Sequence, residues 1–339
     1  MARKILISDK LESICPDILT RRGFEVDQKS SLSPVELAAA IGDYAGLIVR
    51  SATRVTAEVL EKGAAGELKI VGRAGAGLDN VDAQAAQRLG IKVVNTPGLN
   101  ANAVAELTVA LMITLARNLW PAMESMKSGR WEKKGLAGRE IAGKTLGLLG
   151  LGAVGKLVAA KGRALGLKVL AHDPIITKEA IEAAGAGSVT FQDLFQSADY
   201  LSLHLPKTPE TENIVNSETL SLMKPSAFLI NCARGGLVDE AALYEALSQK
   251  RLAGAATDVF AKEPPDPAPL MALPNFVAIP HLGASTEEAQ LAVAEKVAHL
   301  IADFLSDNPS ASPTSPAGPS PSAGPSPSAG PAEPGGRAV

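Results

Sequence analysis

Gly150, Gly152 and Gly155 stand at Gly-x-Gly-x-x-Gly spacing between an apolar run, Thr145–Leu149, and a helical pattern over Lys156–Leu165. A second apolar run, Lys168–His172, follows and ends at Asp173. This is the full layout of a dinucleotide grip, and it says far more than three glycines alone. Gly150 permits a tight turn, Gly152 lets the backbone approach a pyrophosphate, and Gly155 lets the helix pack closely on the strand. The helix start, with Ala153 and Val154, offers free N–H groups and the positive end of the helix dipole. Asp173 is spaced to receive ribose hydroxyls. Its charge would repel a 2′-phosphate and Pro174 supplies no cation to hold one, so NAD is expected rather than NADP.

Four further stretches place polar residues just after apolar runs: 204–206, 231–236, 258–265 and 280–285. The carboxyl ends of parallel strands carry the ligand crevice in such sheets, so these positions are candidates for chemistry. His281 stands apart from the other histidines because it follows an apolar run and precedes a helix start marked by Ser285 and Glu288. His172, His204 and His299 read as structural or solvent-facing. Cys15 and Cys232 lie far apart, with no Cys/His cluster, so neither a disulfide framework nor a metal is expected.

The elements that must position these residues come in two series. The first holds apolar runs at 4–8, 24–27, 46–50, 70–73 and 92–95. The second holds 145–149, 168–172, 200–205, 227–231, 254–259 and 276–280. Helical patterns alternate with the runs, which predicts an α/β chain of two doubly wound Rossmann-like domains with parallel sheets. Asn102–Leu119, free of Pro and Gly, reads as one long buried helix joining the two; its polar positions weigh against a membrane span. Residues 1–97 with 286–307 are expected to form a discontinuous substrate-binding domain, and 98–285 the NAD-binding domain. Residues 308–339 are rich in Pro, Ser and Ala and repeat a six-residue unit, so a disordered tail is expected there.

The segments 72–82 and 281–290, read with the four polar stretches, resemble the D-isomer-specific 2-hydroxyacid dehydrogenase family from the first strand to about Leu305. The resemblance implies a catalytic set of Arg234, Glu263 and His281. Arg234 would hold a substrate carboxylate, His281 would move the proton, and Glu263 would fix the imidazole. It also implies that Asp258 meets the nicotinamide carboxamide, and that Cys232, Ala233, Gly283 and Ala284 line the cofactor mostly through backbone. Ala76 and Leu205 stand where relatives often carry threonine. Arg50, Ser51, Arg73 and Asn100 match substrate-contacting positions, and Lys133 matches a cation supplied by a partner subunit. A homodimer is implied, aided by the apolar 102–119 region and an arm over 120–136. The family normally returns to a strand after Leu305, and many members continue into regulatory domains. Neither feature is expected here, nor the serine feedback that such domains carry.

The 339 residues carry a formal net charge of −3, with 46% hydrophobic and 20% charged residues. No basic excess points to nucleic acid or to an anionic membrane. A cytoplasmic setting and a small anionic hydroxy-acid substrate are expected. The extra cations Arg50, Arg73 and Lys133 favour 3-phosphoglycerate oxidation to 3-phosphohydroxypyruvate, the entry to serine biosynthesis. Reduction of glyoxylate or hydroxypyruvate is the rival reading. Outside the enzymes, an NAD-sensing corepressor or an inactive scaffold would use the same fold.

Overall fold

In the computed structural model, which describes residues 2–30, 32–266 and 269–308, every strand pairs in parallel. The first sheet holds β1 (Lys4–Ile7), β2 (Glu25–Gln28), β3 (Gly46–Val49), β4 (Ile70–Arg73) and β5 (Lys92–Asn95), in the order β2-β1-β3-β4-β5. The second holds β6 (Thr145–Leu149), β7 (Lys168–His172), β8 (Gly187–Ser188), β9 (Tyr200–Leu203), β10 (Phe228–Asn231), β11 (Gly254–Thr257) and β12 (Phe276–Ala278). Its order is β12-β11-β10-β9-β6-β7-β8. Both orders reverse direction once, between β1 and β3 and between β6 and β9. A doubly wound sheet opens a crevice at that point, past the carboxyl ends of the strands.

Register lines up those ends. Leu149 pairs with Leu203, Leu203 with Asn231, Asn231 with Thr257, and Thr257 with Ala278. The next residues, including Gly150, His204, Cys232 and Asp258, therefore leave one edge side by side. On the smaller sheet, Val49 pairs with Arg73 and Arg73 with Asn95, which brings Arg50 and Ala74 to a common edge.

Helix Glu287–Asp307 seals the smaller sheet. Its Val297 and Ile301 are fully buried against Ile5, Ile48 and Ile70. Burial of such a side chain contributes about 1.5–3 kcal/mol. The approach is close enough that a Cβ on Gly72 would sit 2.7 Å from Val297 Cγ2. The far end of this helix is tied to the chain start, where the Arg3 guanidinium donates to the carbonyls of Leu305 at 2.5 Å and Asn308 at 2.9 Å.

Several boundaries differ from expectation. The expected long helix is two, Ala101–Ala116 and Leu119–Lys127, bent by 72°. Asn118 at φ 50° makes the break, a left-handed conformation that asparagine tolerates without a glycine. Among the described residues no single helix is long and apolar enough to cross a membrane. The first of the two packs on the larger sheet through Leu111, Met112 and Leu115 rather than spanning between sheets. The last helix is capped by Thr286, whose hydroxyl accepts from Ala289 N–H at 3.2 Å, one residue after the expected Ser285. Strand β2 is shifted by one residue, and β9, β11 and β12 each end two residues early. The two-residue β8 carries no legible pattern. Of the expected tail, 308–339, all but Asn308 lies outside the described residues.

Candidate active site

The glycine turn has the geometry its spacing implies. Gly150 sits at φ 93°, and a Cβ there would be 2.6 Å from the His204 carbonyl oxygen. A Cβ on Gly155 would meet the Gly150 carbonyl at 2.5 Å, so the helix rests directly on the turn. Gly152 is the N-cap of helix Ala153–Ala164, has no side-chain cap, and faces open space. Unclaimed helix-start N–H groups before an open approach fit a dinucleotide pyrophosphate. Asp173 has a structural task that spacing did not reveal. Its Oδ2 accepts from Leu151 N–H at 2.8 Å and its Oδ1 from Ile175 N–H at 2.9 Å, so the same carboxylate pins the turn. Cys232, just after β10, is buried, and burial pushes its thiol up to about 12, so it stays neutral.

His281 follows β12 with a left-handed backbone, φ 52°. Its N–H donates to the Asp258 carbonyl at 2.9 Å. The Asp258 carboxylate, itself 1% exposed, accepts from Leu282 N–H at 2.5 Å and Gly283 N–H at 2.7 Å. Burial raises the Asp258 pKa, and the two backbone donors oppose that rise. Three bonds to one residue hold the loop that presents the imidazole. His281 Nδ1 lies 2.7 Å from Glu263 Oε2, and Glu263 Oε1 accepts from Phe260 N–H at 3.1 Å.

Between the sheets lies a cleft of about 680 Å³. Arg50, Ser51, Arg73, Asn100, Arg234 and His281 all line it, as do Ala76 and Ala284. Arg50 follows β3, and its N–H is held by Asp9 at 2.5 Å. Arg73 ends β4, and its Nε finds no partner among the described residues. Burial first, then the Arg234 and Arg50 charges, lower the Arg73 pKa from its ordinary value. Arg234 follows β10, where Asn231 shapes the turn by accepting from Ala233 N–H at 3.0 Å and donating to the Arg234 carbonyl at 2.9 Å. Three guanidinium groups crowd one hollow, an arrangement that a bound polyanion would relieve.

Leu205 lies against the glycine turn and is not among the residues lining the cleft. Lys133 does not reach this cleft; it is exposed on the arm beyond helix Leu119–Lys127. Sequence reasoning did not assign Asp9, Asp79, Asn231, Ser285 or Gln290, although all but Asp9 lay within segments singled out for other residues. Asp9 and Asp79 meet partners 41 and 155 positions away, which spacing does not encode, whereas Asn231 bonds within its own turn.

His204 is not part of the cleft lining. Its Nε2 lies 3.0 Å from Ser202 Oγ, and burial lowers its pKa from 6.5 to about 4. The unfolded chain then binds a proton between pH 6.5 and about 4 that the folded chain refuses, so stability falls as pH drops through that window. In thermal melts over that range, His204→Gln should flatten the acid loss; parallel profiles for both proteins would exclude the imidazole as its source.

Residues 109–283 match the NAD binding domain of the D-isomer specific 2-hydroxyacid dehydrogenases. A protein of Thermus thermophilus superimposes with a TM-score of 0.82 at 35% identity, over 90% of this chain and 97% of that one. The D-lactate dehydrogenase of Aquifex aeolicus, solved with NAD and lactic acid, gives a TM-score of 0.80 at 26% identity over 90% and 96%. This chain belongs to the D-isomer specific 2-hydroxyacid dehydrogenase family and carries its NAD binding domain. Among curated relatives, the D-3-phosphoglycerate dehydrogenase of Synechocystis is 46% identical over 91% of this chain and 55% of its own length. That of Methanocaldococcus jannaschii is 45% identical over 92% and 60%. The chain thus spans little more than half the length of the curated relatives it matches.

Proposed function

We propose that the chain is an NAD-dependent dehydrogenase of the D-3-phosphoglycerate type, oxidising 3-phosphoglycerate to 3-phosphohydroxypyruvate at the entry to serine biosynthesis, or running the reverse reduction. The observation that carries this reading is the convergence of Arg50, Arg73 and Arg234 beside the His281–Glu263 pair. One carboxylate needs a single guanidinium; a phosphate and a carboxylate together call for more.

In this reading Arg234 grips the substrate carboxylate, and Arg50, Ser51 and Arg73 hold the phosphate, with Asn100 at the rim. Glu263 can only accept, so Nδ1 of His281 carries its proton and Nε2 keeps a lone pair. His281 then takes the hydroxyl proton in oxidation and returns it in reduction, while Glu263 steadies the charged imidazolium. The glycine turn with Ala153 and Val154, Asp173, Leu205, the Cys232–Ala233 backbone, Asp258 and the Ala76, Gly283 and Ala284 positions would hold NAD. When bound, NAD supplies the hydride acceptor or donor.

Residues 1–97 with 286–307 act as the substrate-binding domain and 98–285 as the NAD-binding domain, a division supported by the two separate sheets. A homodimer is part of the proposal, supported by exposed Trp120, Met123, Met126 and Trp131 on the arm that would bring Lys133 to a second copy's cleft. A cytoplasmic setting accords with two buried, unpaired cysteines.

The test is NADH oxidation on phosphohydroxypyruvate, hydroxypyruvate and glyoxylate. The phosphorylated compound should lead in kcat/KM by about 10²-fold, the worth of two or so added charge-assisted contacts. Equal efficiency on all three would defeat the assignment and favour a general hydroxypyruvate or glyoxylate reductase.

A further inference from the structure

We propose that Asp79 is a positioning residue that turns the free edge of Arg234 toward the substrate carboxylate. The inference rests on the reading that Arg234 is the carboxylate grip. Asp79 lies in the loop after β4, on the smaller sheet, and Arg234 in the loop after β10, on the larger one. Their side chains meet across the cleft, with Arg234 Nε donating to Asp79 Oδ2 at 3.1 Å. Arg234 Nη1 donates to the Ala233 carbonyl at 2.7 Å. A guanidinium has five N–H donors. With Nε and one Nη1 hydrogen committed to protein, the donors left over are the other Nη1 hydrogen and the Nη2 pair. These form the parallel edge that meets a carboxylate bidentately.

Two observations set this pair apart from a chance surface bridge. Asp79 is the one carboxylate among the described residues lining a cleft that carries three guanidinium groups. The chain also keeps space for the pair: a Cβ on Gly77 would stand 2.4 Å from Arg234 Nη2 and 2.4 Å from Asp79 Oδ2. Asp79 is 58% exposed against 31% for Arg234, so it reaches the guanidinium from the solvent side. Its task is to aim, because an ion pair this exposed does little for stability.

A rival role would have the opposite sign. If Asp79 only competed with substrate for Arg234, its removal would tighten binding. The experiment measures kcat and KM for phosphohydroxypyruvate at saturating NADH in D79A, D79N, R234A, R234K and D79A/R234K. D79A should lower kcat/KM about tenfold, mainly through KM, the cost of one misdirected charge-assisted bond discounted for exposure. D79N should stay within about threefold of wild type, since its amide oxygen still accepts from Nε. In R234K, which has no Nε, adding D79A should change nothing further. The D79A melting midpoint should shift by no more than about 1 °C. A lower KM in D79A, equal losses in D79A and D79N, an additive loss in the double variant, or a larger melting shift would each overturn the proposal. Undiminished turnover in R234A would instead overturn the reading of Arg234 on which it depends.

Discussion

His281→Ala is expected to lower kcat by about 10³-fold, the middle of the range that a placed general acid or base contributes. The argument is geometric. The imidazole lines the cleft, and its Nδ1 is engaged by Glu263 at 2.7 Å, so only Nε2 is free to exchange a proton with substrate. Alanine removes that proton path but keeps the loop, because the loop is held through backbone N–H groups on Asp258 and not through the ring. NADH affinity, read by fluorescence titration, should therefore stay close to wild type. Alanine is less suited than histidine to φ 52°, which adds a small backbone cost, but the bonds to Asp258 remain, so the fold should tolerate the change. Turnover within tenfold of wild type would remove His281 from the proton transfer.

Arg73→Ala should raise the KM for phosphohydroxypyruvate by about 10²-fold or more, the loss that follows when a hydrogen-bonded charge pair loses one partner. The same change should leave hydroxypyruvate reduction within a few fold, since that substrate has no phosphate to hold. Arg73 is a poor contributor to folding: its Nε is buried without a partner among the described residues, and Arg234 and Arg50 repel it. Removing it relieves like-charge crowding, so the melting temperature should equal or exceed that of the wild type. Activity and stability would then move in opposite directions, as at sites where strain is kept for function. Equal damage to both substrates would assign Arg73 to the architecture of the cleft and not to a phosphate.

The architecture was legible wherever a run of apolar residues was bounded by turn signals. The buried strands at 46–49, 145–149 and 228–231 stand out because both of their faces are covered, which makes the sequence continuously apolar. The glycine turn was readable because Gly150 and Gly155 answer steric demands that no other residue meets, while Gly152 leaves the approach to the helix start open. Legibility failed where conformation depends on a single tolerant residue. Asn118 breaks the helical run itself, with only Pro121 three positions on as a signal, and β8 pairs only Gly187 and Ser188 with β7. Arg234, Glu263 and His281 were proposed through family resemblance, whereas the partners that set their geometry were not. Asp79 and Arg234 are 155 positions apart, and only the folded crossing of two sheets reveals that they touch.

The carboxylate of Asp258 restricts which side chains that position can ever carry. Each oxygen receives an N–H from a neighbouring peptide, so the site demands a group that accepts on both prongs and donates on neither. Asparagine has nearly the same shape, yet one prong would point an NH₂ at an N–H, a donor-to-donor collision inside a sealed pocket. Shape mimicry is thus the harsher swap at this point, and glutamate, with one more methylene, would push Leu282 and Gly283 outward. This one acid is the peg on which the loop bearing His281 hangs.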